Sequence, residues 1–150
     1  MKKNNIDYII FAIKQIIEAE KFGFTRNECR GNLATALHQY WQNKIMGLHG
    51  TAHRKLIVRS KAAIIAEKKQ TERTEVEHSV PVNKIIDMLL DLKKINSKEA
   101  ESILKKYYRV YVVTVSEHKK LSNLKLRSKM PDDWDYKDPY VRYKKAGIKI

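Results

Sequence analysis

The chain has 150 residues, 43% hydrophobic and 32% charged, which is typical of one globular domain with a modest core and much helix. No run of about 18 apolar residues occurs, which excludes a membrane-spanning helix. Cys29 is the only cysteine, so an intramolecular disulfide and a cysteine-based zinc site are also excluded. The formal net charge is +14, from 31 Lys and Arg against 17 Asp and Glu, and it indicates a polyanionic partner.

The expected partner is nucleic acid, with DNA favoured over RNA, because the excess of cations is clustered along the chain. The alternative is a lysine-rich composition that serves no partner. A membrane surface is not expected, since the basic stretches lack the bulky aromatic face of an interfacial helix. The N-terminal segment lacks the small-residue cleavage site of a secretory signal, so we expect a cytoplasmic protein.

The segment up to Gly47 predicts a helical hairpin. An amphipathic first helix is indicated by a stripe of isoleucines: Ile6, Ile9, Ile10, Ile13, Ile16 and Ile17. Gly23 is its expected C-terminal cap, and Thr25 and Glu28 have the spacing of a capping box. The second helix would run to Gly47 and present Leu33, Ala36, Leu37, Tyr40 and Trp41. The isoleucine stripe needs a partner surface, within the chain or on a second copy, so a homodimer stays open.

Residues 52–69 form the most basic segment and predict one continuous helix, with an inward stripe of Leu56, Ala63 and Ile64. The cations of this segment have almost no acidic neighbours. That pattern favours a surface that follows a phosphate backbone over an ordinary solvated face. The predicted nucleic-acid contacts are Arg54, Lys55, Arg59 and Lys61, with Trp41 as a stacking ring, Lys44 beside it, and Arg127 later in the chain.

Between residues 71 and 126 the sequence predicts two strands and three helices. β-Branched residues indicate strands at 75–80 and 109–114. The three helices follow N-terminal signals at Pro81, at Asn96 with Glu99, and at Thr114 with Glu117.

After Arg127 the periodicity is lost, and residues 127–150 predict an irregular tail that wraps the domain through Trp134, Tyr140 and Tyr143. We therefore expect a single domain over residues 1–150. It would have a basic helical part at 1–70, a ββα-like part with a helical insertion at 71–126, and the tail. The fold class is mainly α (α+β), with a small two-stranded element.

Two short segments contain candidate catalytic or metal-binding residues. Glu77 and His78 lie within the first predicted strand and are followed by Pro81. The second strand leads through Thr114 directly into a helix whose first turn carries His118. This order of strand, strand and helix resembles the HNH, or ββα-metal, nuclease family, and the second segment resembles its colicin branch. The resemblance covers residues 74–81 and 109–122.

The resemblance implies that Glu77 and His118 are metal ligands and that His78 is the general base. It implies one divalent cation, with Mg²⁺ favoured over Zn²⁺, Ni²⁺ or Mn²⁺. A neutral imidazole has a suitable pKa to accept a proton from water, and Arg109 or Arg127 would offset charge growing on the phosphate.

Two positions depart from the family pattern. Arg109 stands where the family places an Asn that orients the base, and Ser122 stands where colicin-type members have another His. Asn123 or Glu117 is the replacement ligand to consider.

The sequence therefore predicts an HNH-like metal-dependent endonuclease acting on nucleic-acid phosphodiesters. One alternative is a non-catalytic DNA- or RNA-binding accessory protein of the phage or mobile-element type. A second alternative is a basic protein-interaction or inhibitor module. Under both alternatives Glu77, His78 and His118 are ordinary surface residues.

Overall fold

The computed structural model describes residues 5–45, 47 and 51–150, apart from the side chains of residues 44, 45 and 51–53. The described helices are α1 (Asn5–Lys21), α2 (Arg26–Cys29), α3 (Gly31–Tyr40), α4 (Lys61–Lys69), α5 (Val82–Leu90), α6 (Ser97–Tyr107), α7 (Val115–Asn123) and α8 (Val141–Ala146). The strands are β1 (Thr74–His78) and β2 (Val110–Thr114), which form a two-stranded sheet. A π-helical turn at Trp41–Ile45 follows α3, and a 3₁₀-helix spans Thr51–Leu56. The predicted mainly α fold class with a small two-stranded sheet is confirmed.

No described helix combines the length and the apolar character needed to cross a membrane. The described residues fall into two compact units. The first unit lies within Met1–His53 and Ile85–Lys105, and the second within Arg54–Lys84 and Lys106–Ile150. That the two units form one domain stays a prediction.

The first unit contains the predicted isoleucine stripe. Ile9 and Ile13 are 0% exposed and lie on α1, which packs against α3. The stripe is therefore covered within the chain itself. The capping box at Thr25 and Glu28 is confirmed, because each side chain bonds the other's backbone N–H. The helix that it opens stops after one turn, however, and α3 starts separately at Gly31.

The second unit is built around β2. β1 pairs with β2 in antiparallel register, with Glu77 opposite Tyr111 and His78 opposite Val110. The other edge of β2 is joined by residues 58–60, which run parallel to it. There the carbonyl of Val58 accepts from the N–H of Val112 at 2.9 Å. A buried cluster packs beside the sheet, and its members are Tyr111, Val113, Leu121, Leu126, Tyr143, Ala146 and Ile148.

The outer edge of β1 is closed at both ends by arginines. Arg54 donates from Nη2 to the Thr74 carbonyl at 2.8 Å, and Arg142 donates from Nη2 to the His78 carbonyl. These bonds occupy two of the carbonyls that an added strand would use.

The prediction of one helix over residues 52–69 is wrong. Residues 58–60 are extended because they pair with β2, and Ser60 then caps α4 by accepting from the Ala63 N–H at 3.0 Å. The inward stripe is wrong in part, since Ala63 is buried but Leu56 and Ile64 are 61% and 53% exposed. The pairing of this segment with β2 is a tertiary contact that helix propensity does not report.

The C-terminal segment is not irregular throughout. It contains α8, which ends at Gly147 with a φ of 69°, a conformation that glycine adopts without strain. Six residues are too few to show helical periodicity in the sequence. Of the three aromatic residues predicted to anchor this segment, Trp134 and Tyr143 are buried, at 8% and 1% exposed, and Tyr140 is half-buried.

The start of α7 is tied to the start of α4 by a buried carboxylate. Thr114 and Glu117 form the predicted capping box, in which Glu117 Oε2 accepts from the Thr114 N–H at 3.0 Å. The same oxygen accepts from Ser60 Oγ at 2.6 Å. Glu117 is 5% exposed, so these bonds replace the water that its carboxylate would otherwise hold.

We expect Thr114→Ala to lower the free energy of unfolding by about 1–2 kcal/mol, because the buried backbone N–H of Glu117 loses its acceptor, Thr114 Oγ1, and the helix loses its cap. Urea unfolding with linear extrapolation measures the loss. Thr25→Ala is the matched control: it removes the same kind of box from an exposed site, and we expect a loss of about 0.5 kcal/mol. Equal losses for the two variants would contradict the special role of the buried cap.

Candidate functional site

The sheet and α7 bring Glu77 and His118 together. Alternate residues of a strand point to the same face, so β1 presents Glu75 and Glu77 on one side. α7 begins directly after β2 and packs against both strands, and this places His118, in its first turns, over that side.

The contact between the two side chains is short. His118 Nδ1 lies 2.8 Å from Glu77 Oε2 and 3.6 Å from Glu75 Oε2. The Glu77 side chain is 10% exposed and that of His118 is 21% exposed, whereas Glu75 is 45% exposed. The close pair is therefore shielded from water on most sides, and its electrostatic attraction is stronger than that of a surface pair.

Arg142, which the sequence did not single out, completes this cluster. Its side chain is fully buried at 0% exposure. Each of its five N–H groups has an acceptor: Glu77 Oε1 and the carbonyl of His78 for Nη2, the carbonyl of Ser79 for Nε, and the carbonyls of Leu126 and Arg127 for Nη1. Arg142 therefore holds the end of β1 and the segment after α7 in one place.

The two oxygens of Glu77 have different partners. Oε1 accepts from Arg142 and from the backbone N–H of His78 at 3.2 Å, while Oε2 faces His118. An ionised carboxylate only accepts, so Nδ1 of His118 carries the hydrogen of this bond. The carboxylate thereby fixes the orientation of the imidazole ring and directs Nε2 away from Glu77.

His78 takes a different environment from Glu77. Strand alternation directs its side chain to the opposite face, and its ring contacts Tyr108 edge to face with centroids 5.1 Å apart. Burial raises the pKa of Tyr108, so this phenol stays neutral beside the imidazole. The structure thus brings Glu77 and His118 together and leaves His78 at the end of the same strand, on its other side.

The other predicted catalytic and ligand residues lie around this core. Arg109 is exposed, and its Nε approaches the Lys106 carbonyl at 3.4 Å. Ser122 bonds the carbonyl of His118 at 3.4 Å, and Asn123 is exposed at the end of α7. The carboxylate of Glu117 is held by its own helix cap, so it is not directed toward Glu77.

Some of the predicted nucleic-acid contacts are exposed side chains, and others are already bound to groups within the protein. Lys55, Lys61 and Arg127 are exposed. Arg54 is bound to the Thr74 carbonyl, as described above. The Lys44 side chain lies outside the described residues.

Arg59 has a structural partner. Its Nε lies 2.5 Å from Glu67 Oε2, and its Nη1 donates to the Ile57 carbonyl at 2.7 Å. The hydrogen bond from Arg59 lowers the pKa of Glu67. Trp41 is 3% exposed, so the expectation that its ring offers a stacking face is wrong. In the sequence, Trp41 belongs to the apolar stripe of the second predicted helix, and that position indicated a buried ring.

A divalent cation fits the cluster in part. Among the described residues, no group of three or more His, Cys, Asp or Glu side chains could hold a metal ion. The pair of Glu77 Oε2 and His118 Nδ1 remains. A cation bound between these atoms would replace the hydrogen that they share, so the neutral ring would then carry its hydrogen on Nε2. Neighbouring ligands of an octahedral Mg²⁺ with bonds of about 2.1 Å lie about 3 Å apart, close to the 2.8 Å between these two atoms. Tetrahedral Zn²⁺ is bound in proteins by three or four side-chain ligands, so the pair of Glu77 and His118 suits it less well.

No protein-family model, curated protein or solved structure matches the chain. The resemblance to HNH nucleases therefore stays a prediction from two short segments and from the arrangement of their residues.

We expect Arg142→Met to destabilise the protein by about 3–5 kcal/mol, because it leaves the buried Glu77 carboxylate without its counter-charge and several buried carbonyls without a donor. Arg127→Met makes the same chemical change at an exposed site, and we expect less than about 0.5 kcal/mol there. Urea midpoints compare the two variants.

A double variant tests the cause of that loss. Adding Glu77→Gln to Arg142→Met removes the unpaired charge and should recover part of the stability. If the double variant is less stable than Arg142→Met by the full effect of Glu77→Gln alone, the two side chains are not coupled.

Proposed function

We propose that the protein is a metal-dependent phosphodiesterase that cuts nucleic acid, with Glu77 and His118 as the ligands of one divalent cation. The observation that carries the proposal is the 2.8 Å approach of Glu77 Oε2 to His118 Nδ1 across an antiparallel ββα arrangement. These two residues are 41 positions apart in the chain. Both were singled out for a resemblance to the same type of nuclease.

The chemistry favours Mg²⁺ or Mn²⁺. Such a cation, when bound, polarises a phosphate oxygen and neutralises charge on the leaving oxygen. Mg²⁺ is held in many sites by one or two carboxylates together with substrate phosphates, so two protein ligands suffice. Arg142 contributes by holding Glu77 through Oε1, which leaves Oε2 for the cation.

His78 and Arg109 have the remaining proposed roles. His78, as the last residue of β1, is the proposed proton acceptor for the attacking water. Arg109, exposed just before β2, is proposed to offset negative charge that develops on the phosphate. Both roles come from the sequence resemblance, and the variants below separate them from the metal ligands.

A second candidate function is non-catalytic binding of nucleic acid. It is favoured by the pairing of Glu77, whose carboxylate already has a cation on one oxygen and an imidazole on the other. In that case Arg142, Glu77 and His118 are a buried strut of the second unit. The phosphates would then be bound by the exposed cations of that unit, which include Lys55, Lys61, Lys68, Lys69 and Arg127.

We expect supercoiled plasmid to be nicked in the presence of Mg²⁺ or Mn²⁺ and left intact with EDTA. His118→Ala and Glu77→Gln should both reduce nicking to the EDTA level, because each removes one of only two protein ligands. His78→Ala should slow it by roughly 10²–10⁴-fold, the usual contribution of a general base.

His38→Ala is the control for the loss of an imidazole, and we expect wild-type nicking from it. Nicking that persists in EDTA, or in His118→Ala at the wild-type rate, contradicts the metal site. A wild-type protein that binds the plasmid but never nicks it with either cation supports the second candidate.

Binding should depend steeply on salt under both candidates. Each phosphate contact on duplex DNA contributes about −0.9 to the slope of log K against log salt. Replacing Lys55 and Lys61 by Gln should therefore reduce the slope by nearly 2, whereas the exposed Lys98→Gln in the first unit should leave it unchanged. A slope near zero for the wild type would point instead to an acidic protein as the partner.

A further inference from the structure

Tyr136 is held in a conformation that its residue type disfavours. Its φ is 62°, in the left-handed region that bulky side chains rarely adopt. The other described non-glycine residues with positive φ are Gln70 and Lys125, and both lie at the C-terminal ends of helices, where this conformation is ordinary. Tyr136 ends no helix, so helix capping does not explain its backbone.

Contacts from several elements maintain the conformation. The carbonyl of Tyr136 accepts from Tyr107 Oη at 2.6 Å and from Lys106 Nζ at 2.9 Å, both at the end of α6. Its hydroxyl accepts from Lys84 Nζ at 2.8 Å. Such over-determined strain is characteristic of ligand-binding positions.

The ring of Tyr136 packs on a second aromatic ring, and Lys84 Nζ lies over it at 4.9 Å from its centroid. It stacks on Trp134 with ring centroids 4.5 Å apart and planes 30° apart. Trp134 is itself fixed, because its Nε1 donates to the Asp138 carbonyl at 2.8 Å and its ring meets the edge of Tyr107. Tyr136 nevertheless remains 43% exposed. The result is a rigid aromatic face that borders solvent.

The surroundings of the ring are cationic. In the described part of the chain, neither Lys84 nor Lys106 forms an ion pair. The ammonium group of each donates a hydrogen bond to Tyr136 instead. The carboxylates that neighbour the ring in sequence are occupied. Asp135 accepts from the Lys137 N–H at 3.0 Å, and Asp138 pairs with Lys144 at 2.7 Å. Two ammonium groups without a carboxylate partner among the described residues thus lie beside a partly exposed aromatic ring, Lys84 over Tyr136 itself and Lys106 over the adjoining ring of Tyr107.

We propose that Tyr136 is a stacking platform for an unpaired base of a nucleic-acid strand, with Lys84 and Lys106 against the flanking phosphates. A planar open ring between cations complements a base between phosphates, and stacking on aromatic side chains is a common means of binding single strands. Bases inside a duplex are covered by their neighbours and do not offer a face to the ring. The platform therefore selects single-stranded or splayed substrates.

The platform lies in the second unit, at the end of the sheet where β1 finishes. Tyr107, which bonds Tyr136, comes just before β2, and the next residue, Tyr108, contacts the ring of His78. A base on Tyr136 would thus be bound at the end of the sheet that carries the proposed catalytic residues. This step rests on the proposed function, and it identifies single-stranded or splayed nucleic acid as the substrate class.

The test compares a single-stranded oligothymidylate with an abasic strand of equal length, which has the same phosphates but no bases. Binding is measured by fluorescence anisotropy in EDTA, so that no cleavage intervenes. Wild type should bind the base-bearing strand about 5- to 150-fold more tightly than the abasic strand. Tyr136→Phe, which keeps the ring, should retain this ratio.

Tyr136→Gly should bring the ratio to about one. Glycine adopts the observed φ without strain, so this variant removes the ring and keeps the backbone, and its thermal unfolding checks the fold. Three results would overturn the platform: a wild-type ratio of one, a glycine variant that keeps the wild-type ratio, or tighter binding to a duplex than to a single strand with as many phosphates.

The stacking platform and the nuclease activity can each be contradicted without contradicting the other. Base-dependent binding without any Mg²⁺- or Mn²⁺-dependent cleavage of either the plasmid or the single-stranded oligothymidylate supports the platform and contradicts the phosphodiesterase. Metal-dependent nicking with equal affinity for base-bearing and abasic strands supports the phosphodiesterase and contradicts the platform.

Discussion

The buried guanidinium of Arg142 is the interaction on which the second unit depends. A cation at 0% exposure has lost its water, and only a complete set of acceptors offsets that loss. The acceptors come from the end of β1, from the segment after α7, and from the carboxylate of Glu77. Because the guanidinium is planar and rigid, it fixes the directions of these groups as well as their distances. The position of Glu77, and through it that of His118, follows from this one side chain.

The sequence predicted the local features of this arrangement well. The capping boxes at Thr25 and Thr114 and the helix after Pro81 all follow from residues within a few positions of each other. Long-range partners were not predictable in the same way. Arg142 and Glu77 are 65 positions apart, and Ser60 and Glu117 are 57 apart, so no periodicity links them. The extended residues before α4 show the same limit, since their conformation comes from pairing with β2.

The candidate site was predictable in part for the same reason. A strand ending at His78 and a helix starting at Thr114 place Glu77 and His118 near each other once the strands pair, and the structure has them in contact. The sequence resemblance also joined His78 to this group. The period of two along a strand separates adjacent side chains, so Glu77 and His78 face different surroundings. Arg142 gave no signal, because an arginine in an aromatic tail is indistinguishable by sequence from any surface cation.

The charges of the cluster indicate how a cation and a substrate would bind. Arg142 balances the negative charge of Glu77, and the charge of Glu75, whose side chain is 45% exposed, is screened by water, so the site attracts a divalent ion only weakly on its own. A phosphate group changes this balance, because it brings negative charge and further oxygen ligands. Binding of the cation and of nucleic acid would then be cooperative, each supplying what the other lacks. Under the proposed coupling two protein ligands would be enough, and the net charge of +14 would keep a phosphate backbone close enough to complete the site.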